Sequence, residues 1–493
     1  MKFLSTRGKS VAPNAAYAIS HGLAEDGGLY VPEIFPCVKE DLEKMLEMSY
    51  SERACFLLSK YLEEYDYQDL LKACESAYSK FDDESVVPVV KLDYNLFIME
   101  LFHGPTLAFK DVALTLLPYL LRKGCDISGI KEEVLILVAT SGDTGKAALE
   151  GFKDQDGTKI MVFYPSEGVS DMQKAQMTTQ EGKNVNVVGV LGNFDDCQTA
   201  VKKIFSSKTV AEDLKGQGVV LSSANSINFG RLAPQITYYF SAYLDMVDCA
   251  EIKMGDEVDF VVPTGNFGDI LAGYYAKKMG LPINRLVCAS NSNNVLTEFF
   301  TNGYYDDNRE FFKTMSPSMD ILISSNLERL IFEVSGRDAE LTAKRMEELK
   351  KSGKYSVSES ELSMIKKDFY ADYCEEEDCM ETIGDIFEEY GYVLDTHTAV
   401  AMYTAMNYKA FENENKPLII LSTASPYKFA QNVLKAITGK TIKEAFKASD
   451  MLEMETAMPV PNQIKELKTK ERRFNNVIEK DQTVQAVMEF VKQ

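Results

Sequence analysis

One lysine in this chain of 493 residues stands in a context that could make its amine reactive. Lys110 ends the sequence LAFK and precedes an apolar run that predicts a helix over 112–121. Burial lowers the pKa of a lysine, and the resulting neutral amine is both a nucleophile and a base. A solvated surface lysine is the alternative, and the local pattern leaves both open. His103, in the same segment, is predicted to be a packing histidine.

Two glycine-rich turns could each bind an anion. The sequence TGNFG at 264–268 follows a predicted strand and opens a predicted helix, so several backbone N–H groups can point at one phosphate. The sequence SGDTG at 141–145 offers a similar pocket that suits a carboxylate. An ordinary strand-to-helix turn is the alternative in both places. Neither turn matches GxGxxG and the second is not a Walker A loop, which argues against a dinucleotide site.

Two other turns carry polar side chains that could contact a phosphate. Asn225, Ser226 and Arg231 combine amide, hydroxyl and guanidinium donors, and a fixed arginine is well suited to phosphate. Helix capping and an exposed arginine are the alternatives. Thr423 lies in the strand-end sequence STASP at 422–426, where capping is again the alternative. Together with the lysine, these turns predict a group-transfer or lyase enzyme that acts on an anionic small molecule.

Short apolar strands, each followed by a turn of small residues and a helical run, position these side chains. Such strand–turn–helix units imply parallel pairing with right-handed crossovers, and hence doubly wound α/β sheets. In open sheets of this kind, ligands bind at the carboxyl ends of the strands, where the candidate turns lie. The predicted strands are 134–139, 159–164, 185–190, 218–222, 259–262, 286–289 and 418–421.

The organisation along the chain changes near residue 94. Residues 1–93 show helical periodicity, mainly over 40–78, and are predicted to form a mostly helical N-terminal unit. Residues 94–493 are predicted to form a catalytic region of two interleaved α/β lobes, the smaller at about 130–240. A charged stretch at 337–390 is predicted to be helical and to face solvent.

Charge and composition restrict the partners. The chain has 53 basic and 75 acidic residues, and its net charge of −22 disfavours nucleic acid or an anionic membrane as the main partner. No apolar run approaches the ~18–20 residues that span a bilayer, and the N-terminus lacks the apolar core of a signal peptide. We therefore expect no membrane partner.

The cysteines and histidines indicate the compartment and argue against a metal. Nine scattered cysteines without a CxxC pair are typical of reduced thiols, which predicts a cytoplasmic protein. The three histidines lie far apart in the sequence, so no histidine-built metal site is expected.

Five segments in one order resemble the threonine synthases of the bacterial and fungal type. They are STRG…GLAEDGGLYVPE, LFHGPTLAFKD, TSGDTG, SSANSINFGRLAPQ and VPTGNFGD, and they span most of the chain. The resemblance implies the fold of the tryptophan synthase β-subunit, also called fold type II, in which two open α/β domains hold pyridoxal 5′-phosphate between them. It also implies a lyase that acts in amino-acid biosynthesis.

The resemblance assigns cofactor roles to matched positions. Lys110 corresponds to the lysine that attaches the cofactor covalently and later shuttles protons. Thr423 corresponds to the hydroxyl that meets the pyridine nitrogen. Ser425 departs from the family pattern, in which a histidine is expected before the proline. The residues that correspond to the phosphate cradle are Gly265, Asn266, Phe267, Gly268 and Asp269.

The resemblance also assigns a substrate, O-phospho-L-homoserine, which reacts with water to give L-threonine and phosphate in the last step of threonine biosynthesis. The enzyme would be a monomer or a homodimer, with closure of one domain on the other. Residues implied at the amino-acid end of the substrate are Ser141, Asp143 and Thr144. Those implied at its phosphate are Asn225, Ser226 and Arg231.

Two other functions fit the same residues. One is a phospholyase or dehydratase of the same fold, which would release 2-oxobutyrate in place of threonine. The other is a non-catalytic sensor that binds a phosphorylated ligand, although binding alone does not require the amine of Lys110. The identity of the product distinguishes the three.

Overall fold

Parallel strands form the frame of the molecule in the computed structural model, which describes residues 1–140, 142–166, 169–412 and 416–492. The strands are β1 (Phe3–Ser5), β2 (Val11–Ala12), β3 (Tyr30–Pro32), β4 (Val89–Asp93), β5 (Leu96–Glu100), β6 (Glu133–Ala139), β7 (Thr158–Pro165), β8 (Val185–Val190), β9 (Val219–Ser222), β10 (Val258–Pro263), β11 (Ile283–Ser290), β12 (Tyr304–Asp306), β13 (Lys354–Ser356), β14 (Phe369–Tyr373), β15 (Leu418–Ser422) and β16 (Val477–Ile478).

Helices cover the sheets and form most of the N-terminal region. They are α1 (Ala15–His21), α2 (Leu42–Leu46), α3 (Tyr50–Ser59), α4 (Tyr67–Tyr78), α5 (Lys110–Leu114), α6 (Leu117–Ile127), α7 (Asp143–Phe152), α8 (Asp171–Thr178), α9 (Phe194–Ser206), α10 (Lys208–Gly216), α11 (Phe229–Asp248), α12 (Gly268–Lys278), α13 (Val295–Asn302), α14 (Leu327–Val334), α15 (Ala339–Ser352), α16 (Glu359–Asp368), α17 (Glu376–Tyr390), α18 (Thr396–Glu412), α19 (Ala430–Thr438), α20 (Ala445–Thr456), α21 (Asn462–Lys465) and α22 (Thr483–Val491).

The larger sheet has the strand order β14-β11-β10-β15-β5-β4. Its pairs are parallel except for β4, which runs antiparallel to β5 at one edge. The smaller sheet has the order β16-β8-β7-β6-β9 and is parallel throughout. All seven predicted strands are present, and the predicted α/β fold with two parallel sheets is confirmed.

Two strands that the sequence pattern did not predict, β16 and β4, lie at the edges of the two sheets. β16 pairs with β8, and Phe490 of α22 packs in the apolar cluster beneath the smaller sheet. β4 pairs with β5 of the larger sheet, although the predicted N-terminal unit includes the residues of β4. The predicted division at residue 93 stays a prediction, and strand pairing favours a boundary before β4.

The N-terminal region is mostly helical, as predicted, with a small antiparallel sheet of β1, β2 and β3. Helix α3 begins with a capping box in which Ser49 and Glu52 satisfy each other's backbone N–H groups. This region packs on α11, a helix of 20 residues that is buried along most of its length. Helix α11 also packs on α5 and α12, so it supports two elements of the site.

Two predicted helical stretches are wrong in detail. The run at 112–121 is broken into α5 and α6, and Pro118 lies in the first turn of α6, where its missing N–H costs nothing. The charged stretch at 337–390 contains β14, which pairs with β11 at the edge of the larger sheet. Its sequence FYADY is short and rich in aromatic residues, which favours a strand.

Within the described ranges, no helix is long and apolar enough to cross a membrane.

Candidate active site

The carboxyl ends of the two sheets open into one cavity of about 820 Å³. The predicted site residues that line it are Lys110, Asp143, Thr144, Asn225, Ser226, Arg231, Gly265, Asn266, Phe267, Gly268, Asp269 and Thr423. Ser141, the remaining predicted residue, lies outside the described residues. Segments more than 300 residues apart in the chain therefore meet at one place, as ligand sites in open α/β sheets do.

Lys110 is the first residue of α5 and is buried, with 8% of its surface exposed. Its Nζ lies 3.9 Å from Oδ2 of Asp143 and 4.4 Å from the centre of the Phe109 ring. Burial, aided by the nearby charges of Lys428 and Arg231, lowers the pKa of Lys110 to about 8. Of the two alternatives that the sequence leaves open, the structure shows the buried lysine, and near neutral pH a fraction of its amine is neutral.

Asp143 is the first residue of α7 and is the acidic partner of two lysines. Its Oδ1 lies 3.0 Å from Nζ of Lys428 and accepts a hydrogen bond of 3.0 Å from Nε2 of Gln173. Burial alone would raise the pKa of Asp143. The ammonium groups of Lys428 and Lys110 nevertheless hold this pKa well below its usual range. This carboxylate is already engaged by protein groups, so its implied contact with the substrate stays a prediction.

The turn at 264–268, here called the cradle turn, joins β10 to the N-terminus of α12. Phe267 adopts a left-handed conformation with φ of 61°, which turns the chain sharply into the helix. A Cβ at Gly265 would lie 2.7 Å from the carbonyl oxygen of Ser318, so only glycine fits there. The carbonyl of Asn266 accepts hydrogen bonds of 3.1 Å from the backbone N–H and the side chain of Asn326.

Asp269, in the first turn of α12, does not act as an ordinary surface carboxylate. Its Oδ1 accepts hydrogen bonds from the hydroxyls of Tyr238, at 2.5 Å, and Tyr239, at 3.0 Å. Burial raises the pKa of Asp269 to about 6. Its Oδ2 is buried and has no hydrogen-bond partner within the described part of the chain. A carboxyl with a raised pKa repels a neighbouring phosphate less than a fully ionised one.

The turn at 225–231 leads into α11 and presents a buried arginine to the cavity. Nη1 of Arg231 donates to the carbonyl of Ala224 at 2.5 Å, whereas its buried Nε lacks a partner among the described residues. Burial lowers the pKa of Arg231 to about 10, so the group is cationic at neutral pH. Oγ of Ser226 accepts a hydrogen bond of 3.2 Å from Asn326, the residue that also contacts the cradle turn.

Thr423 follows the carboxyl end of β15 and is buried. Its carbonyl oxygen accepts a hydrogen bond of 2.9 Å from the N–H of Phe109, which links it to the start of the lysine helix. Ser425, which stands where the family pattern has a histidine, is buried and accepts a 3.4 Å hydrogen bond from the N–H of Tyr427. Ser425 therefore caps the short turn after the strand, outside the cavity lining.

Sequence reasoning missed two residues at the site. His397 lines the cavity; its Nδ1 lies 3.0 Å from Oδ1 of Asp395 and its Nε2 accepts a 3.3 Å hydrogen bond from the N–H of Ser318. A signal was present in the polar run DTHT before an apolar helix. The other residue is Lys428, a buried lysine that gave no sequence signal beyond its place after the last strand.

His103 lies outside the cavity lining and bridges two carboxylates. Its Nδ1 is 2.7 Å from Asp82 and its Nε2 is 2.9 Å from Glu100. Burial lowers the pKa of His103, but the hydrogen bonds to Glu100 and Asp82 outweigh burial, and the pKa is raised overall. These contacts agree with the predicted packing role.

Three family models match the chain in succession. Residues 2–78 match one described as "Threonine synthase N terminus", residues 84–423 match "Pyridoxal-phosphate dependent enzyme", and residues 398–491 match "Threonine synthase, C-terminal".

Individual relatives and solved structures agree with these models. The chain is 39% identical to the threonine synthase of Pseudomonas aeruginosa, over 94% of this chain and 96% of that protein. It is 42% identical to human threonine synthase-like 1 over 87% of this chain, and it spans 58% of the length of that protein. The crystal structure of the threonine synthase from Brucella melitensis, described as bound to pyridoxal phosphate, matches with a TM-score of 0.88 and 38% sequence identity. The match covers all of the present chain and 99% of the Brucella melitensis chain. The yeast threonine synthase structure matches with a TM-score of 0.89 and 34% sequence identity. The match covers all of the present chain and 99% of the yeast chain.

The fold and the middle family model define a pyridoxal-phosphate dependent enzyme. Within that class, the chain belongs to the threonine synthase family, as the sequence motifs predict.

The cavity fits the cofactor of this family. The buried Lys110 amine is suited to covalent attachment, and the N–H groups of the cradle turn at the start of α12 are suited to a phosphate. The unpartnered Nε of Arg231 offers a further donor within the same cavity. No group of three or more metal-ligating side chains is present in the described ranges.

Proposed function

We propose that this protein converts O-phospho-L-homoserine and water to L-threonine and phosphate with pyridoxal 5′-phosphate as cofactor. One observation carries the proposal: a single cavity holds a buried lysine amine and two separate turns whose donors suit a phosphate. A substrate that bears its own phosphate needs a second anion pocket beside the one for the cofactor. Membership of the threonine synthase family supports the same substrate.

The chemistry needs a base at the α-carbon of the substrate. Bound pyridoxal 5′-phosphate withdraws electrons from that carbon and so acidifies its C–H bond. Nζ of Lys110 accepts the proton in this proposal, because a base with a pKa of about 8 both takes up and returns protons near neutral pH. The same amine carries the later protons in this proposal, since it lines the cavity together with the candidate substrate-binding residues.

The departing phosphate needs fixed positive charge. Arg231 supplies it, and Asn225 and Ser226 add amide and hydroxyl groups from the same turn. A buried guanidinium binds phosphate more strongly than an exposed one because water competes less for its donors. We assign Asp143 and Thr144, at the start of α7, to the amino-acid end of the substrate.

Water must stay out until it adds to the β-carbon. The mouth of the cavity carries apolar side chains that are still open to solvent: Phe311 is 55% exposed and Ile323 is 53% exposed. Closure of the lobes over the substrate would bury them and dry the site. We therefore include domain closure in the proposal.

Product analysis tests the proposal. Purified protein, pyridoxal 5′-phosphate and O-phospho-L-homoserine are mixed, and threonine, 2-oxobutyrate and phosphate are measured. Threonine equal in amount to phosphate supports the synthase. Phosphate with 2-oxobutyrate would make the protein a phospholyase, and no phosphate release would leave only a ligand-binding role.

The finer properties belong to the same proposal. The scattered, unpaired cysteines support a cytoplasmic location, and the acidic net charge supports a small molecule as the partner, with no role for nucleic acid or membrane. A monomer or a homodimer is expected. We keep the division into a helical N-terminal unit, predicted as 1–93, and a catalytic region, predicted as 94–493 with its smaller lobe at about 130–240, as a proposal. The pairing of β4 with β5 supports moving its boundary to a point before β4.

A further inference from the structure

A second buried lysine, Lys428, stands behind the first. Its side chain is fully buried, yet its Nζ is well paired: 3.0 Å from Oδ1 of Asp143 and 2.7 Å from the carbonyl oxygen of Thr106. The proposed reaction uses Lys110 and does not require this residue. A buried ammonium costs several kcal/mol of desolvation, so its presence beside the reactive lysine calls for an explanation.

Asp143 lies between the two lysines. One carboxylate oxygen faces Lys428 at 3.0 Å and the other faces Lys110 at 3.9 Å. Gln173 donates to the first oxygen and so fixes the plane of the carboxylate. The Lys428 and Gln173 contacts together leave Oδ2 directed at the Lys110 amine.

The balance of charge at Lys110 is set by side chains of several elements. Asp143 attracts a proton to the amine, whereas the fixed positive charge of Lys428 repels it. Without Lys428, the carboxylate of Asp143 would be opposed by burial and by the charge of Arg231, and the proton affinity of Lys110 would rise. The charged and titratable groups that act on Lys110 or its carboxylate partner are Asp143 of α7, Arg231 of α11, Asp269 of α12, His397 of α18 and Lys428 after β15. Asp111 of α5 itself acts on Lys428.

We propose that Lys428 is a positioning residue for Lys110: it holds the Asp143 carboxylate in place, and its positive charge favours the neutral form of the free Lys110 amine. The proposal rests on the proposed role of Lys110 as the cofactor lysine and proton carrier. It makes Asp143 and Lys428 one unit: the carboxylate orients the amine, and the second ammonium opposes the rise in proton affinity that the carboxylate would cause.

The test is the pH dependence of covalent cofactor attachment. Full-length protein is stripped of cofactor, pyridoxal 5′-phosphate is added, and the rate of attachment to Lys110 is followed by absorbance and mass spectrometry. Lys428→Met should move the half-maximal rate to higher pH by about one unit or more, equal to about tenfold slower attachment below the midpoint. Asp143→Asn should move the midpoint the opposite way.

Opposite shifts distinguish this role from simple packing. Lys146→Met is the matched control, because Lys146 is a half-buried lysine of the same helix α7 that pairs with Glu150 at 2.9 Å and lies outside the cavity lining. It should lower the melting temperature and leave the pH midpoint unchanged. An unchanged midpoint in Lys428→Met, with attachment still occurring, would overturn the proposal.

Folding is controlled by a double variant. The double variant Lys428→Met, Asp143→Asn removes both buried charges, so neither is left without its partner. The pH midpoint of its attachment rate should lie above that of the single variant Asp143→Asn, because the repelling charge of Lys428 is also gone. Equal midpoints in these two proteins would also overturn the proposal. If the wild-type protein fails to attach the cofactor at all, it is the proposed function that fails; if it attaches the cofactor and shows the shifts but forms no threonine, the inference stands and the assigned substrate fails.

Discussion

Two buried aspartates occupy the same place in two copies of one motif and have opposite properties. Asp143 begins α7 and Asp269 lies in the first turn of α12, each just after a parallel strand and a glycine-containing turn. Ammonium groups hold the pKa of Asp143 low against the effect of burial, whereas burial raises that of Asp269 to about 6, with only tyrosine hydroxyls on Oδ1.

The partner, and not the motif, decides the pKa of each aspartate. At α12 the carboxyl of Asp269 is bound by tyrosine hydroxyls, which leaves the N–H groups of the helix N-terminus and the cradle turn to a phosphate. At α7 a full carboxylate takes that favourable place itself and serves the lysine amine. One strand–turn–helix pattern thus yields an anion pocket on one lobe and a cation-orienting carboxylate on the other.

Removal of the amine that both aspartates face should have the largest effect. Lys110→Ala is expected to abolish the absorption band of the lysine-bound cofactor and to lower turnover by about 10³-fold or more, because the nucleophile and base are lost together. Circular dichroism should show a folded protein. Wild-type turnover in this variant would remove the assigned role of Lys110.

Asp143→Asn tests the charged member of the pair. It leaves Lys428 buried without its carboxylate, so the free energy of unfolding should fall by about 3 kcal/mol in urea titrations. The lowered pKa of Asp143 makes its contribution present at neutral pH and lost as the pH falls below the usual carboxylate range. The wild type and the variant should therefore converge in stability at low pH, and a constant difference would contradict this account.

Arg231→Ala tests the anion pocket on the α11 turn. The expected result is a rise in KM for O-phospho-L-homoserine of about tenfold to a hundredfold with a smaller change in kcat, because a charge-assisted contact to the substrate phosphate is lost. Arg122→Ala, in an arginine that contacts Asp126 and lies outside the cavity lining, is the control. An unchanged KM in the first variant would remove Arg231 from the phosphate site.

Gly265→Ala tests the cradle turn. The added Cβ would meet the carbonyl oxygen of Ser318 at 2.7 Å, so the turn must shift and the Kd of the cofactor should rise about tenfold. Gly216→Ala, where a Cβ meets nothing within 4 Å, should leave the Kd unchanged. Equal affinities in the two variants would show that the cradle tolerates a side chain.

Asp269→Asn should have the smallest effect on activity, since the hydrogen bonds of this side chain are to the hydroxyls of Tyr238 and Tyr239 and its substitution removes no amine, guanidinium or backbone N–H from the cavity. The raised pKa of Asp269 means that its contribution to stability is full below about pH 4 and lost as the pH rises through about 6. The wild type should therefore lose stability over this range relative to the variant, the reverse of the trend at Asp143. A parallel pH dependence of the two proteins in thermal melts would contradict the comparison.

Much of the frame could be predicted because its signals are local. The seven predicted strands are short apolar runs that end at small-residue turns, and burial makes such runs distinctive. In the two parallel sheets, four strands escaped prediction: β4, β14 and β16 lie at sheet edges, and β5 lies next to β4. Edge strands carry weaker patterns because one side of each is exposed.

For the site, the order of residues alone shows which turns carry glycine, hydroxyl and guanidinium groups, and that a lysine follows an apolar run. The motifs also identified the family, since their order along the chain is a property of sequence alone. Twelve of the predicted site residues line one cavity because parallel strands bring their carboxyl ends to the same edge.

The charges of those groups depend on tertiary packing. Lys428 meets Thr106 across 322 residues of chain, and it reaches Asp143 because the turns that follow strands of both sheets come together in the fold. His397 reaches the cavity in the same way. A pKa depends on burial and on neighbours within a few ångströms, and neither is encoded by local spacing. The sequence therefore specified the reactive groups, and the packing of distant segments set their protonation.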